Sequence, residues 1–370
     1  MKRIKGLDGL RAVAFLLVFF FHANFWYFGW VGVQLFFVLS GFLITGILLD
    51  MKQSLPRAEY FVKFYGRRFL RIFPLYYLYL FLIALVAAYL LGHKIRRPYM
   101  LLFWEQFPYA LGYVYNFFMA TSKFVQTSQF LTHLWSLAVE EQFYILWPLV
   151  ILFVPGKHLK KVFFGVIGFA AIFRAGIIWF YQQASFQILG DANTAIYALP
   201  FSHLDAFACG ALITLGVSLP KAKQQFLILL VGFPILGLLT DYLSTGQWNV
   251  NNGFGLPLLL PNAYKAVWGY LILNYLFMLL IYGVAKEGWF NRLLEHAWMR
   301  YLGKISYGLY VYHYATLWTI TEVIFPDINM ILGTAISLAL TILIASLSFH
   351  WIEKPIMDLK DRWFPFRPAP

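Results

Sequence analysis

A single cysteine, Cys209, in 370 residues leaves no partner for an internal disulfide and no clustered-thiolate metal site. Charge is also scarce: 12% of the residues are Asp, Glu, Lys or Arg, against 61% hydrophobic and 21% aromatic. A soluble fold of this size needs far more polar surface, so the chain reads as an all-α, polytopic membrane protein. It contains no Walker A motif, no nucleotide-fold glycine motif and no His-x-x-x-His pair of the zinc-protease type. ATP-driven transport and zinc hydrolysis therefore lose support, and no metal ligand set is expected. No low-complexity linker interrupts the sequence. It divides into one membrane domain, 1–352, and a short tail, 353–370.

Apolar runs of about 20 residues, the length that crosses a bilayer, predict about ten helices near 8–28, 31–50, 72–91, 135–154, 162–181, 197–217, 226–243, 264–284, 304–325 and 328–350. The start Met1-Lys2-Arg3-Ile4-Lys5 is basic like a signal peptide, but no small-residue cleavage site follows, which predicts an uncleaved first span. The net charge of +13 raises the question of nucleic acid, and its distribution answers it. With the N-terminus inside, 22 of the 29 Lys and Arg fall in cytoplasmic segments, and outer loops hold only Lys94, Arg96, Arg97, Lys123 and Lys265. That asymmetry predicts both termini in the cytoplasm and makes the basicity a topology signal; no nucleic-acid partner is expected. The long interruption at 93–134 suits an interfacial or re-entrant segment facing outward. A second outward loop, 244–262, sets Asn249, Asn251 and Asn252 beside Trp248. A wet turn with an aromatic anchor is favoured there over a sugar contact.

Ionisable groups inside apolar segments are costly and so mark function. In the first span Arg11 and His22 are eleven residues apart, which returns to nearly one helix face about 16 Å further along. The plainer reading is a snorkelling arginine and a packed histidine, and it weakens when both share a stripe. Asp8 sits one turn before Arg11. In the first inner loop Arg67 and Arg68 precede Arg71, and Arg68 and Arg71 at i,i+3 form a fork suited to phosphate, though inner loops are Arg-rich in any case. The run from His133 to Tyr144 carries Glu140 and Glu141 near a helix start, where a carboxyl can orient an imidazole or favour the helix N-terminus. Asp205 is expected to pair with His203 or Arg174, as structure or as catalysis. Tyr310 and His313, one turn apart in the ninth span, are either a polar stripe or interfacial packing.

These blocks together resemble the membrane acyltransferase-3 family. They are Gly6-Leu7-Asp8-Gly9-Leu10-Arg11, His22, Gly32 to Thr45, Arg67 to Pro74, Trp135 to Tyr144, Leu302 to His313 and Ile352-Glu353-Lys354-Pro355. The likeness runs from residue 6 to 355. It implies an integral O-acyltransferase moving an acyl group, acetyl by default, from cytoplasmic acyl-CoA to a hydroxyl on an extracytoplasmic carbohydrate or glycoside, in a bacterial inner membrane. Arg11 and His22 are then the essential first-helix pair. Arg68 and Arg71, with Arg67, are donor-associated, and Asp8, Glu140, Asp205, Tyr310 and His313 are supporting polar groups. Two positions depart from the family pattern: His203 stands where many relatives carry Arg, and Gln34 where an acidic residue is common. No appended hydrolase-like domain is expected.

On that reading acyl-CoA docks by its phosphates at the arginines, its arm runs along the first helix, and neutral His22 acts as general base on the acceptor hydroxyl. The competing reading is a proton-coupled secondary transporter with His22, Asp205 and His313 along its path. Such proteins usually show internal repeats, and the Gly6–Thr45 block has no second copy.

Overall fold

A computed structural model describes residues 4–182, 190–248, 250–260 and 264–366. The chain order is α1 (Lys5–His22), α2 (Val31–Ser54), α3 (Arg57–Gly92), α4 (Arg97–Leu111), α5 (Tyr115–Met119), α6 (Trp135–Phe153), α7 (Gly156–Gln182) and α8 (Ala192–Ala198). Then come α9 (Leu204–Thr214), α10 (Ala222–Thr245), α11 (Lys265–Tyr282), α12 (Asn291–Leu294), α13 (Ala297–Lys304), α14 (Ser306–Trp318), α15 (Met330–Ser348) and α16 (Lys354–Trp363). Among the described residues seven of these helices, or eight if the bent α8–α9 pair counts as one, are long and apolar enough to cross a membrane. The all-α polytopic expectation holds, and each of the ten expected segments contains a helix.

Three of them differ in form. The third helix begins not at 72 but at Arg57, directly after Pro56. At 1.5 Å per residue its 36 residues measure about 54 Å, well beyond the roughly 30 Å hydrocarbon layer, so its Arg-rich first turns project from the apolar zone. The sixth segment is broken by 65° between Ala198 and Pro200. The cause is local: a residue before proline is pushed out of the helical region, and Leu199 is extended at φ −74°, ψ 135°. Asp191 caps the first half by accepting from the Thr194 N–H at 2.9 Å. The ninth segment runs as α14 to Trp318 and then widens into a π-helical turn, Thr319–Ile324. The tail after 353 is a further helix, α16, packed against α3.

Burial sorts the helices into two layers. In the most apolar stretches of α2 and α11, 72% and 61% of residues are buried, against 22% in both α7 and α10. The helices α1, α2, α6, α9, α11 and α14 therefore form the interior, while α3, α7, α10 and α15 turn residues such as Phe81, Ile172, Val231 and Leu343 outward, where lipid is their solvent. The tightest contact is α2 on α9, and α1 packs between α2 and the α13–α14 segment. Arg11 and His22 thus lie on an interior helix at opposite ends of one stripe.

The loop after α10 is pinned. The Lys265 ammonium donates to Asp241 Oδ1 at 2.9 Å and to the Gly255 carbonyl at 2.7 Å, and Trp30 Nε1–H donates to the Leu256 carbonyl at 3.2 Å. Trp248 stacks on Tyr242 with ring centroids 4.5 Å apart, as an aromatic anchor does; Asn249 lies outside the described residues.

Candidate active site

The site begins where α1 ends. His22 occupies the last turn, and its Nδ1 lies 2.8 Å from Nε2 of His313. His313 is fully buried, with Nδ1 2.6 Å from the Tyr310 carbonyl oxygen. The Tyr310 hydroxyl donates to the His133 carbonyl at 3.0 Å and meets Ser136 Oγ at 2.6 Å. His133 Nε2–H donates to the Val311 carbonyl at 3.0 Å, while its Nδ1 is buried without a partner among the described residues. Tyr314 lies 4.5 Å from the His22 ring, and Phe15 and Phe19 flank His313 at 6.0 and 6.4 Å. The one-turn spacing of Tyr310, His313 and Tyr314 on α14 brings all three to one face. Three imidazoles in an aromatic enclosure, away from carboxylates, form a site suited to proton transfer by neutral histidine.

A polar track leaves this cluster along α6. Ser136, Glu140 and Tyr144 recur at i, i+4 and i+8 and share a face. The Glu140 carboxylate accepts from the hydroxyls of both Tyr144 and Ser40. The Arg68 guanidinium then lies 5.3 Å from the Tyr144 ring and 5.8 Å from that of Phe64, a cation–π arrangement. Glu141, on the neighbouring face, is buried within electrostatic reach of Arg68.

The track ends among cations. Arg11 is 3.8 Å from Asp8 and close enough to Arg68 and Arg71 for their charges to act on one another. Among the described residues neither Arg68 nor Arg71 reaches ion-pair distance of a carboxylate. Glu140 and Glu141 lie within electrostatic reach of Arg68, and Glu353 of Arg71, but among the described residues no carboxylate takes the N–H donors of either guanidinium, which leaves both forks open to an anion.

Sequence proximity misleads for Arg67. Expected with Arg68 and Arg71, it points to the C-terminal helix, donating to Asp361 Oδ1 at 2.9 Å and to the carbonyls of Phe364 and Lys360 at 2.9 and 3.4 Å. Gly66 makes the seat, since a Cβ there would fall 2.4 Å from the Phe364 ring.

Asp205 is likewise drawn elsewhere. It pairs with Arg174 at 2.7 Å, both fully buried, under the Tyr270 ring 5.2 Å from the guanidinium. In the same cluster Gln34 Nε2–H donates to His203 Nδ1 at 2.8 Å, and His203 Nε2–H donates to the Tyr197 carbonyl at 2.8 Å. Gln34 and His203 are therefore direct partners, a neutral amide and a neutral imidazole.

Of the predicted residues, Arg11, Asp8, Arg68, Arg71, Glu140, Tyr310, His313 and His22 fall along one track, and Arg67 and Asp205 do not. Sequence reasoning missed Ser40, His133, Ser136, Tyr144 and Tyr314. The i,i+4 series on α6 was a usable signal for two of them; the others depend on tertiary contacts. Among the described residues no group of three or more His, Cys, Asp or Glu side chains is placed to hold a metal ion.

A family model described as an acyltransferase domain matches residues 4–350. The chain is similar to an O-acetyltransferase OatA of Staphylococcus aureus, 28% identical over 99% of this chain and 59% of that protein. It is also similar to a peptidoglycan O-acetyltransferase OatA of Listeria monocytogenes, 27% identical over 96% of this chain and 56% of that protein. The chain thus spans less than two thirds of the length of these relatives. No solved structure matches.

Proposed function

Because the chain belongs to the acyltransferase-3 family, we propose that it is an integral membrane O-acyltransferase. In this reading it carries an acetyl group from cytoplasmic acyl-CoA to a hydroxyl of an extracytoplasmic carbohydrate or glycoside. The names of the two relatives, one a peptidoglycan O-acetyltransferase, support the acetyl group and a glycan acceptor. The charge asymmetry supports both termini in the cytoplasm, and the bacterial relatives support a bacterial inner (plasma) membrane.

The observation that carries the reading is the polar track itself. Its two ends are fixed on α1 by Arg11 and His22, about 16 Å apart along the helix, a span comparable with the reach of a pantetheine arm. Arg11, Arg68 and Arg71 take the donor's phosphates, and Arg67 is left to the C-terminal helix. Tyr144, Glu140, Ser40, Ser136 and Tyr310 offer hydrogen bonds to the arm. The thioester arrives at His22, and the acceptor hydroxyl approaches from the opposite side. His22 takes the hydroxyl proton as oxygen bonds to the acyl carbon; the carbon–sulfur bond breaks, and the CoA sulfur leaves with a proton from the imidazolium. General-base transfer of this kind is worth about 10²–10⁴ in rate. Direct transfer suits the residues, since Cys209 is buried and no nucleophile elbow occurs.

The test is incubation of the purified protein and its His22→Ala variant with radiolabelled acetyl-CoA and cell-envelope glycan. Label entering glycan only with His22 present is the expected result. Proton-coupled solute flux with no acyl-CoA consumed would replace the enzyme by the transporter.

A further inference from the structure

The hydrogen bonds around His313 have only one consistent set of directions. A carbonyl oxygen offers lone pairs and no proton, so His313 Nδ1, 2.6 Å from the Tyr310 carbonyl, carries hydrogen and donates. A neutral imidazole has one N–H, and His313 is fully buried with aromatic rings and two other imidazoles around it. Its Nε2 is therefore a bare lone pair. That lone pair lies 2.8 Å from His22 Nδ1, so the proton in this bond belongs to His22. His133 offers no alternative proton, since its one N–H is taken by the Val311 carbonyl.

We propose that His313 is a positioning residue that holds His22 in its Nδ1–H tautomer, placing the basic lone pair on Nε2. The inference rests on the general-base reading of His22 and adds which nitrogen acts and what selects it. The chain Tyr310 carbonyl, His313, His22 works as the carboxylate–histidine pair of a hydrolase triad does, orienting one ring through the nitrogen that does not react. Here the orienting group is neutral, which suits a bilayer interior where a carboxylate is costly. When Nε2 accepts the acceptor's proton, the imidazolium keeps its Nδ1–H on the His313 lone pair, which stabilises it until the proton passes to the departing sulfur. Without an acceptor at Nδ1, the His22 proton is free to sit on Nε2, where it blocks the base.

The experiment compares His313→Leu and His313→Gln with the wild type in steady-state acetyl transfer. Leucine fills the site but offers no lone pair; the glutamine Oε1 can accept from His22 Nδ1–H. The expected result is a fall in kcat of about a hundredfold or more for leucine, with KM for acetyl-CoA within about twofold, and recovery of at least about tenfold of that loss by glutamine. Wild-type kcat in the leucine variant, or equal inactivity of two folded variants, overturns the proposal. Nitrogen-15 NMR of histidine-labelled wild-type protein reads the tautomer directly and does not depend on any variant folding. A protonated Nδ1 and bare Nε2 at His22 is expected, and the reverse overturns it. A wild-type protein that transfers no acetyl group fails the functional reading instead, and the NMR result still decides the tautomer.

Discussion

Gly41 and Gly210 meet backbone to backbone where α2 crosses α9. A Cβ at Gly41 would lie 2.1 Å from the Phe207 carbonyl oxygen, and one at Gly210 would lie 2.0 Å from that of Val38. Close approach through small residues is how helices associate in a membrane, where burial of apolar surface gives little. This crossing fixes the frame on which Gln34, Phe37 and Ser40 are presented.

Gly41→Ala is expected to force the two helices apart and lower stability by about 1–3 kcal/mol or more, as overpacking does. Gly232→Ala, on α10 with nothing within 4 Å of the added Cβ, is the control and is expected to be neutral or slightly stabilising. Thermal unfolding of both in detergent checks the pair, and equal melting temperatures would dismiss the close-packing account.

The Gln34–His203 contact predicts a compensating pair. Gln34→Glu buries a carboxylate beside a neutral imidazole, and His203→Arg buries a guanidinium beside a neutral amide, so each alone is expected to destabilise. Together they form an ion pair, with a coupling of about 1–3 kcal/mol in a double-mutant cycle. Additive losses would show that the two side chains do not act as partners.

Arg67 is expected to separate from its neighbours. Removing a charge-assisted contact costs about 1.5–3 kcal/mol, so Arg68→Ala and Arg71→Ala should raise KM for acetyl-CoA by about 10- to 100-fold. Arg67→Ala should leave that KM nearly unchanged and instead expose the segment after Glu353 to limited proteolysis. A large KM effect from Arg67→Ala with an intact C-terminal helix would return it to the donor site.

Much of this arrangement is legible in the sequence, and the exceptions have definite causes. Hydrophobic length alone finds a helix in each expected segment. It stops at residue 72 because Arg57 to Arg71 is polar, although the backbone stays helical where the chain leaves the apolar layer. The run 197–217 reads as one span because its hydropathy is continuous, while the backbone obeys Pro200. Arg67 and Arg68 look like one basic group on paper, but 100° of helical rotation sends them to different partners. The α6 series Ser136, Glu140, Tyr144 was visible as a spacing. Its contact with Ser40, 100 residues away, and the contact of Gln34 with His203, 169 residues away, are tertiary facts that no local pattern encodes.

The middle of the track gives a prediction about the donor's arm. Glu140→Gln keeps the shape but loses the charge that gathers the Ser40 and Tyr144 hydroxyls. KM for acetyl-CoA should rise about tenfold, the effect of one charged hydrogen bond. Transfer from an acetyl thioester of cysteamine, which lacks most of the arm, should change little. Equal losses with both donors would place Glu140 in the chemistry.

Carrying Arg11 and His22 on a single uninterrupted helix makes α1 a ruler. One residue inserted between them would swing His22 by about 100° and shift it by about 1.5 Å, off the His313 lone pair. If Arg11 holds the phosphates and His22 meets the thioester, as proposed, the interval between them is set by the length of one rigid rod and is the same for every acyl-CoA. On the proposed reading, donors that differ only in acyl chain arrive with their thioesters in register, and any selection by chain length falls beyond His22.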